Sequence, residues 1–138
     1  MIEFRRRIRR GLRVWTWRHR AHRAEEDSQS RGTRLLRDWL TPQQLAQFDA
    51  RGYFDVTGCH TGKRYRIRNG TAANVHEVDE FGGAGMGCCF VPEGCLVAGD
   101  VMLAQKIALE TNELGTLAIA NRFPPLFGWG FSGGTWPF

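Results

Sequence analysis

Apolar and basic residues alternate along the first 24 residues at the spacing of an α-helix. The apolar members recur every three or four positions, which places them on one stripe: Phe4, Ile8, Leu12 and Trp15. Most of the arginines fall on the remaining faces. Gly11 lies inside the pattern and weakens it by about 1 kcal/mol relative to alanine, so the helix is not robust on its own. We predict a basic amphipathic helix over residues 1–24.

A polar segment follows at residues 25–32, and its serines and glycine are typical of a linker. The apolar spacing of Thr33–Leu40 then predicts a short helix. The next helix is marked by its own ends. Thr41 and Gln44 stand at the two positions of a capping box. Gly52 is the residue type that ends a helix in the left-handed conformation, so this helix is expected to stop just before it.

The middle of the chain alternates apolar and polar residues with the period of two that β-strands show. Four strands are expected: Tyr53–Val56, Arg64–Arg68, Asn74–Val78 and Cys88–Val91. In the second of them Tyr65 and Ile67 face inward and the three arginines face outward. Asn69-Gly70 is a hairpin-turn signal between the second and third strands. Residues 82–87 are expected to form a flexible loop.

Two helices are predicted near the C-terminus, Val101–Glu110 capped by Asp100 and Glu113–Ala120 capped by Asn112. The fold class is therefore α+β, with N-terminal helices, a small antiparallel β-meander of three to four strands and a C-terminal core helix pair. The predicted organisation has four parts: a basic helical arm at 1–24, a linker at 25–32, a small α+β domain at 33–122 and an aromatic, Gly/Pro-rich tail at 123–138.

Charge is distributed unevenly along the chain. Residues 1–37 hold twelve arginines and four acidic groups, a net of +8, whereas residues 38–138 carry a net of −3. Such asymmetry suggests an arm that meets a polyanion, which is a nucleic acid, an anionic membrane surface or an acidic protein. The arginines also interrupt any signal-peptide core, and no apolar run reaches the roughly 18 residues of a membrane span. A reducing, cytoplasmic location is expected.

The polyanion-binding residues predicted from this charge lie in the arm: Arg5, Arg6, Arg7, Arg9, Arg10 and Arg13. Arg64, Arg66 and Arg68, on one face of a strand, are secondary candidates for phosphate contacts. Trp15 and Trp17 are candidates for stacking or interfacial anchoring. Tyr53 and Tyr65 are further candidates for base stacking on the sheet.

A metal site is a weak alternative, with zinc the expected ion. Its candidate ligands are Cys59, His60, Cys88, Cys89 and Cys95. The spacing is poor, because adjacent residues on a strand point to opposite faces. Cys88 or Cys89 is equally well explained as a small buried hydrophobe. No catalytic residue is assigned, no cofactor or small-molecule substrate is identified, and we expect a protein that is not an enzyme.

The chain resembles a family of small proteins of bacteria and their phages with no established activity. The resemblance covers about residues 35–125 and rests on these segments: Gly52–Val56, Thr61–Ile67, Cys89–Gly94, Gly99–Glu110 and Ala120–Pro124. It implies a bacterial or phage source and no mechanism. The order of hairpin, cysteine-bearing strand and helix is also distantly similar to the SWIM zinc module. That module has Cys-x-Cys followed by Cys-x-His, whereas Cys88 and Cys89 are adjacent and no histidine follows Cys95.

The leading hypothesis is a non-enzymatic interaction module that binds a polyanion through residues 1–24, with nucleic acid favoured and no sequence readout. The alternatives are an assembly or structural protein that docks on protein neighbours through its first helix and its tail, association with a membrane surface, and a small zinc-bound domain. The sequence leaves open the specific partner, the oligomeric state and the order of the tail.

Overall fold

The computed structural model describes residues 2–94 and 97–125, with side chains described from Arg20 onward except for Ala21. The order of elements confirms the α+β class. Four helices and five strands follow one another in the described residues: α1 (Ile2–Trp39), α2 (Pro42–Arg51), β1 (Tyr53–Thr57), β2 (Arg64–Arg68), β3 (Val75–Val78), β4 (Ala84–Cys89), α3 (Ala98–Thr111), α4 (Glu113–Ile119) and β5 (Asn121–Phe123).

The five strands form one antiparallel sheet in sequential order, β1-β2-β3-β4-β5. Its inner face follows the predicted alternation of β2, since Tyr65 and Ile67 are both fully buried. The core between this face and the helices consists mainly of aliphatic and aromatic side chains: Leu36, Leu40, Phe54, Val56, Tyr65, Ile67, Val75, Cys88, Met102, Leu103 and Leu109. Burial of this apolar surface is the main term that stabilises the domain.

The first helix is continuous through residues 25–32, the segment predicted as a linker. Packing against α3, rather than helix propensity, explains why the helix is continuous here. Gly32 is buried where α1 crosses α3, and a Cβ atom built on Gly99 would lie 2.2 Å from the carbonyl carbon of Gly32. Two glycines thus allow the helix backbones to touch, and Gly32 is a helix contact instead of a hinge. Thr33–Leu40, predicted as a separate helix, instead supplies the last turns of α1, which ends at Trp39.

The second helix begins and ends as predicted. Thr41 and Gln44 form both hydrogen bonds of the capping box, and Gly52 ends the helix with φ 74°. Gln47 and Gln44 also reach the outer edge of β1, where they bond the N–H and the C=O of Asp55 at 2.8 and 2.9 Å. Side-chain amides therefore satisfy the edge strand at this residue in place of a sixth strand.

Several predicted boundaries in the C-terminal half are wrong. The fourth strand starts at Ala84, inside the predicted flexible loop, because Gly87 is a strand position over which the ring of Phe123 lies. It ends at Cys89 and not at Val91. The third helix starts at Ala98 with Val97 as N-cap, so Asp100 lies in the first turn and is not the cap. Phe123 belongs to β5 instead of an irregular tail, and residues 126–138 lie outside the described part.

Candidate functional site

The three arginines of β2 share the face of the sheet that points away from the core, as predicted. Arg66 donates to both carboxylate oxygens of Asp55, at 2.9 and 3.2 Å. Its guanidinium carbon also lies 4.0 Å from the centre of the Tyr53 ring, and that of Arg68 lies 5.6 Å from it. Arg64 donates to the backbone carbonyl of Asp79 at 3.2 Å. These side chains are thus brought together, but around partners within the domain.

The ion pair with Asp55 changes the charge balance of this face. Burial acts to raise the pKa of Asp55, but hydrogen bonds from Arg66 and Gln47 hold that pKa below its ordinary value. The carboxylate is therefore ionised at neutral pH. The side chain of Arg66 is only 15% exposed, whereas that of Arg64 is 46% exposed. Of the three arginines, Arg64 is the one that a phosphate reaches most easily.

Neither tyrosine of the sheet provides an open stacking platform. Tyr65 is fully buried, so the prediction that it stacks on bases is wrong. Its hydroxyl donates to Glu113 at 2.6 Å. Burial, together with the charge and hydrogen bond of Glu113, raises the pKa of Tyr65 well above its ordinary value. Tyr53 is half-buried, and one face of its ring carries Arg66.

Glu113 organises a site that sequence reasoning missed. Its carboxylate is fully buried and accepts four hydrogen bonds. The donors are the backbone N–H groups of His60 and Thr61 at 2.9 and 2.7 Å, the Thr61 hydroxyl at 2.5 Å and the Tyr65 hydroxyl at 2.6 Å. Burial acts to raise the pKa of Glu113, but these bonds lower it to about 2. The only sequence signal was an acidic residue in the first turn of a helix.

Cys59 and His60 lie against the start of α4. The Cys59 sulfur accepts from the N–H of Glu113 at 3.4 Å, and Nδ1 of His60 accepts from the N–H of Leu114 at 3.2 Å. Their own Sγ and Nδ1 atoms are 3.4 Å apart. The two exposed side chains therefore complete the hydrogen bonds of a helix N-terminus.

The other predicted zinc ligands are Cys88, Cys89 and Cys95. Cys88 is fully buried in the core, and burial raises the pKa of its thiol. Cys89 is half-buried at the end of β4, and Cys95 lies outside the described residues. Within residues 2–94 and 97–125, no three His, Cys, Asp or Glu side chains are grouped so that they could hold a metal ion.

A polar cleft of about 550 Å³ lies between α2, β1 and α3. Its acidic groups already have cationic partners. Asp55 is paired with Arg66, and Glu110 is paired with Lys106 at 2.5 Å. Gln44, on the cleft wall, bonds both Asp55 and Glu110. Arg64 also lines the cleft, and its Nε atom lies 3.9 Å from the Asp55 carboxylate. The cleft is thus a hydrogen-bonded and ion-paired junction between elements.

The arm residues lie in the N-terminal part of α1, whose backbone is helical from Ile2 onward. This part contains all the predicted arm contacts: Arg5, Arg6, Arg7, Arg9, Arg10, Arg13, Trp15 and Trp17. Side chains from His22 to Asp27 are exposed. Gly32 is the first buried residue of α1 among those whose burial is described. Among the described side chains, the domain therefore covers the last turns of α1 and leaves residues 22–27 exposed.

No protein-family model matches the chain, and no significant match is found among the curated proteins or the solved structures. The resemblance to a bacterial and phage family stays a prediction. Among the described residues, no helix combines the length and the apolar character needed to cross a membrane.

Proposed function

We propose that this protein is a non-enzymatic interaction module that binds a polyanion, with nucleic acid favoured, through the N-terminal part of α1. The observation that carries the proposal is the combination of charge and shape in this helix. Residues 2–23 hold nine arginines and one acidic residue, Glu3. They lie in the same helix as Gly32, which packs on α3. The basic segment is therefore a helical rod that continues from the part of α1 anchored in the domain.

Arginine side chains on such a rod neutralise phosphates and release the counterions that those phosphates hold. This contribution is independent of base sequence, because phosphates carry no sequence information. Trp15 and Trp17 add stacking or interfacial contact. Of the β2 arginines, only Arg64 is retained as a secondary contact, since Arg66 is bonded to Asp55 and Arg68 is half-buried beside Tyr53.

The test is fluorescence anisotropy of the full chain with a labelled DNA duplex of about 20 base pairs, between about 50 and about 200 mM salt. If the six arm arginines contact phosphates, the slope of log K against log salt is about −5. The variant Arg6→Gln/Arg9→Gln/Arg13→Gln is expected to reduce the magnitude of this slope by about 3.

The matched control, Arg31→Gln/Arg34→Gln/Arg51→Gln, removes three positive charges that lie outside residues 1–24. These side chains are exposed, and none makes an ion pair among the described residues. The control is expected to keep the slope of the unmodified protein. Equal loss in both variants would show that total charge, and not the arm, drives binding. Absence of DNA binding at low salt, together with binding to anionic vesicles, would replace nucleic acid by a membrane surface.

A further inference from the structure

We infer that the polyanion is a DNA duplex and that residues 2–23 of α1 lie in its major groove, an inference that rests on the proposed function. The first support is the dimension of the helix. These residues form an uninterrupted helical segment, about 33 Å long at 1.5 Å per residue. An α-helix with its side chains is about 10–12 Å wide, and the major groove is about 12 Å wide.

The second support is where the basic segment ends. Glu25, Glu26 and Asp27 follow closely after Arg23, and all three are exposed. Three carboxylates in one helical turn repel phosphates, so the groove-bound part cannot extend beyond Arg23. The arrangement of charge thus defines where contact with the duplex ends.

The third support comes from the sheet, whose described residues offer no separate site for a single strand. Proteins that bind single strands stack bases on exposed aromatic rings beside a basic groove. Tyr65 is fully buried, and Arg66 lies over Tyr53. The described aromatic side chain with the largest exposure, Phe81 at 95%, follows Asp79 and Glu80 in a turn, where acidic groups repel a phosphate backbone.

Duplex RNA is disfavoured by groove shape. The A-form major groove is deep and narrow, so a helix with its side chains does not enter it. A basic helix therefore distinguishes the two duplexes without reading any base. This comparison gives the inference a control in which charge is constant and only the shape of the nucleic acid changes.

The experiment compares the full chain with duplex DNA, single-stranded DNA and duplex RNA of one sequence, in length series from about 6 to about 20 base pairs or nucleotides. At each length that binds, duplex DNA is expected to have the highest affinity of the three. Single strands and duplex RNA are expected to bind about tenfold more weakly. Equal or tighter binding of either would overturn the inference and leave the proposed function standing. Absence of binding to all three would overturn both.

A helix-breaking variant separates shape from charge. Gly11→Pro keeps every charge but interrupts the helix in the middle of the segment, because proline removes a backbone donor and clashes with the preceding turn. We expect it to lose about tenfold in affinity for duplex DNA and to bind single strands as before. Gly11→Ala is the matched control and is expected to bind duplex DNA at least as tightly as the unmodified chain. Unchanged duplex affinity of Gly11→Pro would contradict the inference.

Discussion

The buried carboxylate of Glu113 is expected to make the stability of the domain depend on acid. Replacing it by glutamine keeps the size of the side chain but removes its charge. The amide oxygen still accepts from the N–H groups of His60 and Thr61, whereas the amide nitrogen now faces the hydroxyls of Thr61 and Tyr65. The hydroxyls of Thr61 and Tyr65 therefore lose their acceptor, while the packing of the side chain is kept.

The magnitude follows from the pKa of Glu113, which folding lowers from 4.5 to about 2. Because the folded pKa lies below the unfolded one, the contribution is present above pH 4.5 and is lost as pH falls toward 2. The difference corresponds to about 3 kcal/mol of folding free energy at neutral pH. This is a large part of the roughly 5–15 kcal/mol that stabilises a typical domain, yet it leaves the variant folded.

Urea denaturation at pH values of about 7, 5, 4 and 3 measures this contribution. The Glu113→Gln variant is expected to lose about 3 kcal/mol at neutral pH and to converge with the unmodified protein as pH falls. Glu80→Gln is the control, since this carboxylate is exposed in a turn and its replacement is expected to leave the stability unchanged at every pH. A difference between Glu113→Gln and the unmodified protein that is the same at every pH would refute the reasoning, because it would be a packing effect.

Two further predictions concern α3 and the thiols. Gly99→Ala places a Cβ atom 2.2 Å from the backbone of Gly32, so α1 and α3 must separate. We expect the free energy of unfolding to fall by about 1–3 kcal/mol. A urea midpoint equal to that of the exposed-site control Thr33→Ala would contradict this. In the native protein, Ellman's reagent is expected to modify exposed Cys59 quickly and buried Cys88 only after unfolding. Cys59→Ser should remove one fast-reacting thiol, and an unchanged fast count would contradict the assignment.

Local signals predicted the second helix and the second strand to the residue. A capping box and a terminal glycine act within one turn of chain, so Thr41, Gln44 and Gly52 carry their own information. The alternation in Arg64–Arg68 likewise specifies which side chains face the core. These features depend on residues that are close in sequence, which is why single-sequence reasoning reaches them.

The features that the sequence did not predict depend on partners distant along the chain. Gly32 has the same sequence signature in a linker as in a helix contact, and only Gly99 on α3 decides between the two. The alternation of β2 predicts that Arg66 points outward, but it does not reveal that Asp55 on the neighbouring strand neutralises it. Glu113 receives its donors from a loop more than 50 residues earlier in the chain.

The pairing of charges within the domain explains why the polyanion proposal rests on α1. The basic side chains that form ion pairs among the described residues do so with acids on neighbouring elements or on the next turn of their own helix: Arg37 with Asp49, Lys63 with Glu77, Arg64 and Arg66 with Asp55, Lys106 with Glu110 and Arg122 with Glu77. Residues 2–23 have nine arginines and a single acid, so no pairing among themselves can balance their charge.

In solution the excess positive charge of residues 2–23 is compensated by mobile anions, and a nucleic acid replaces these anions as it releases its own counterions. Because the released ions enter bulk solution, the driving force is entropic and falls as salt rises. A weak dependence on salt would therefore contradict the role assigned to the arm even if binding itself were tight.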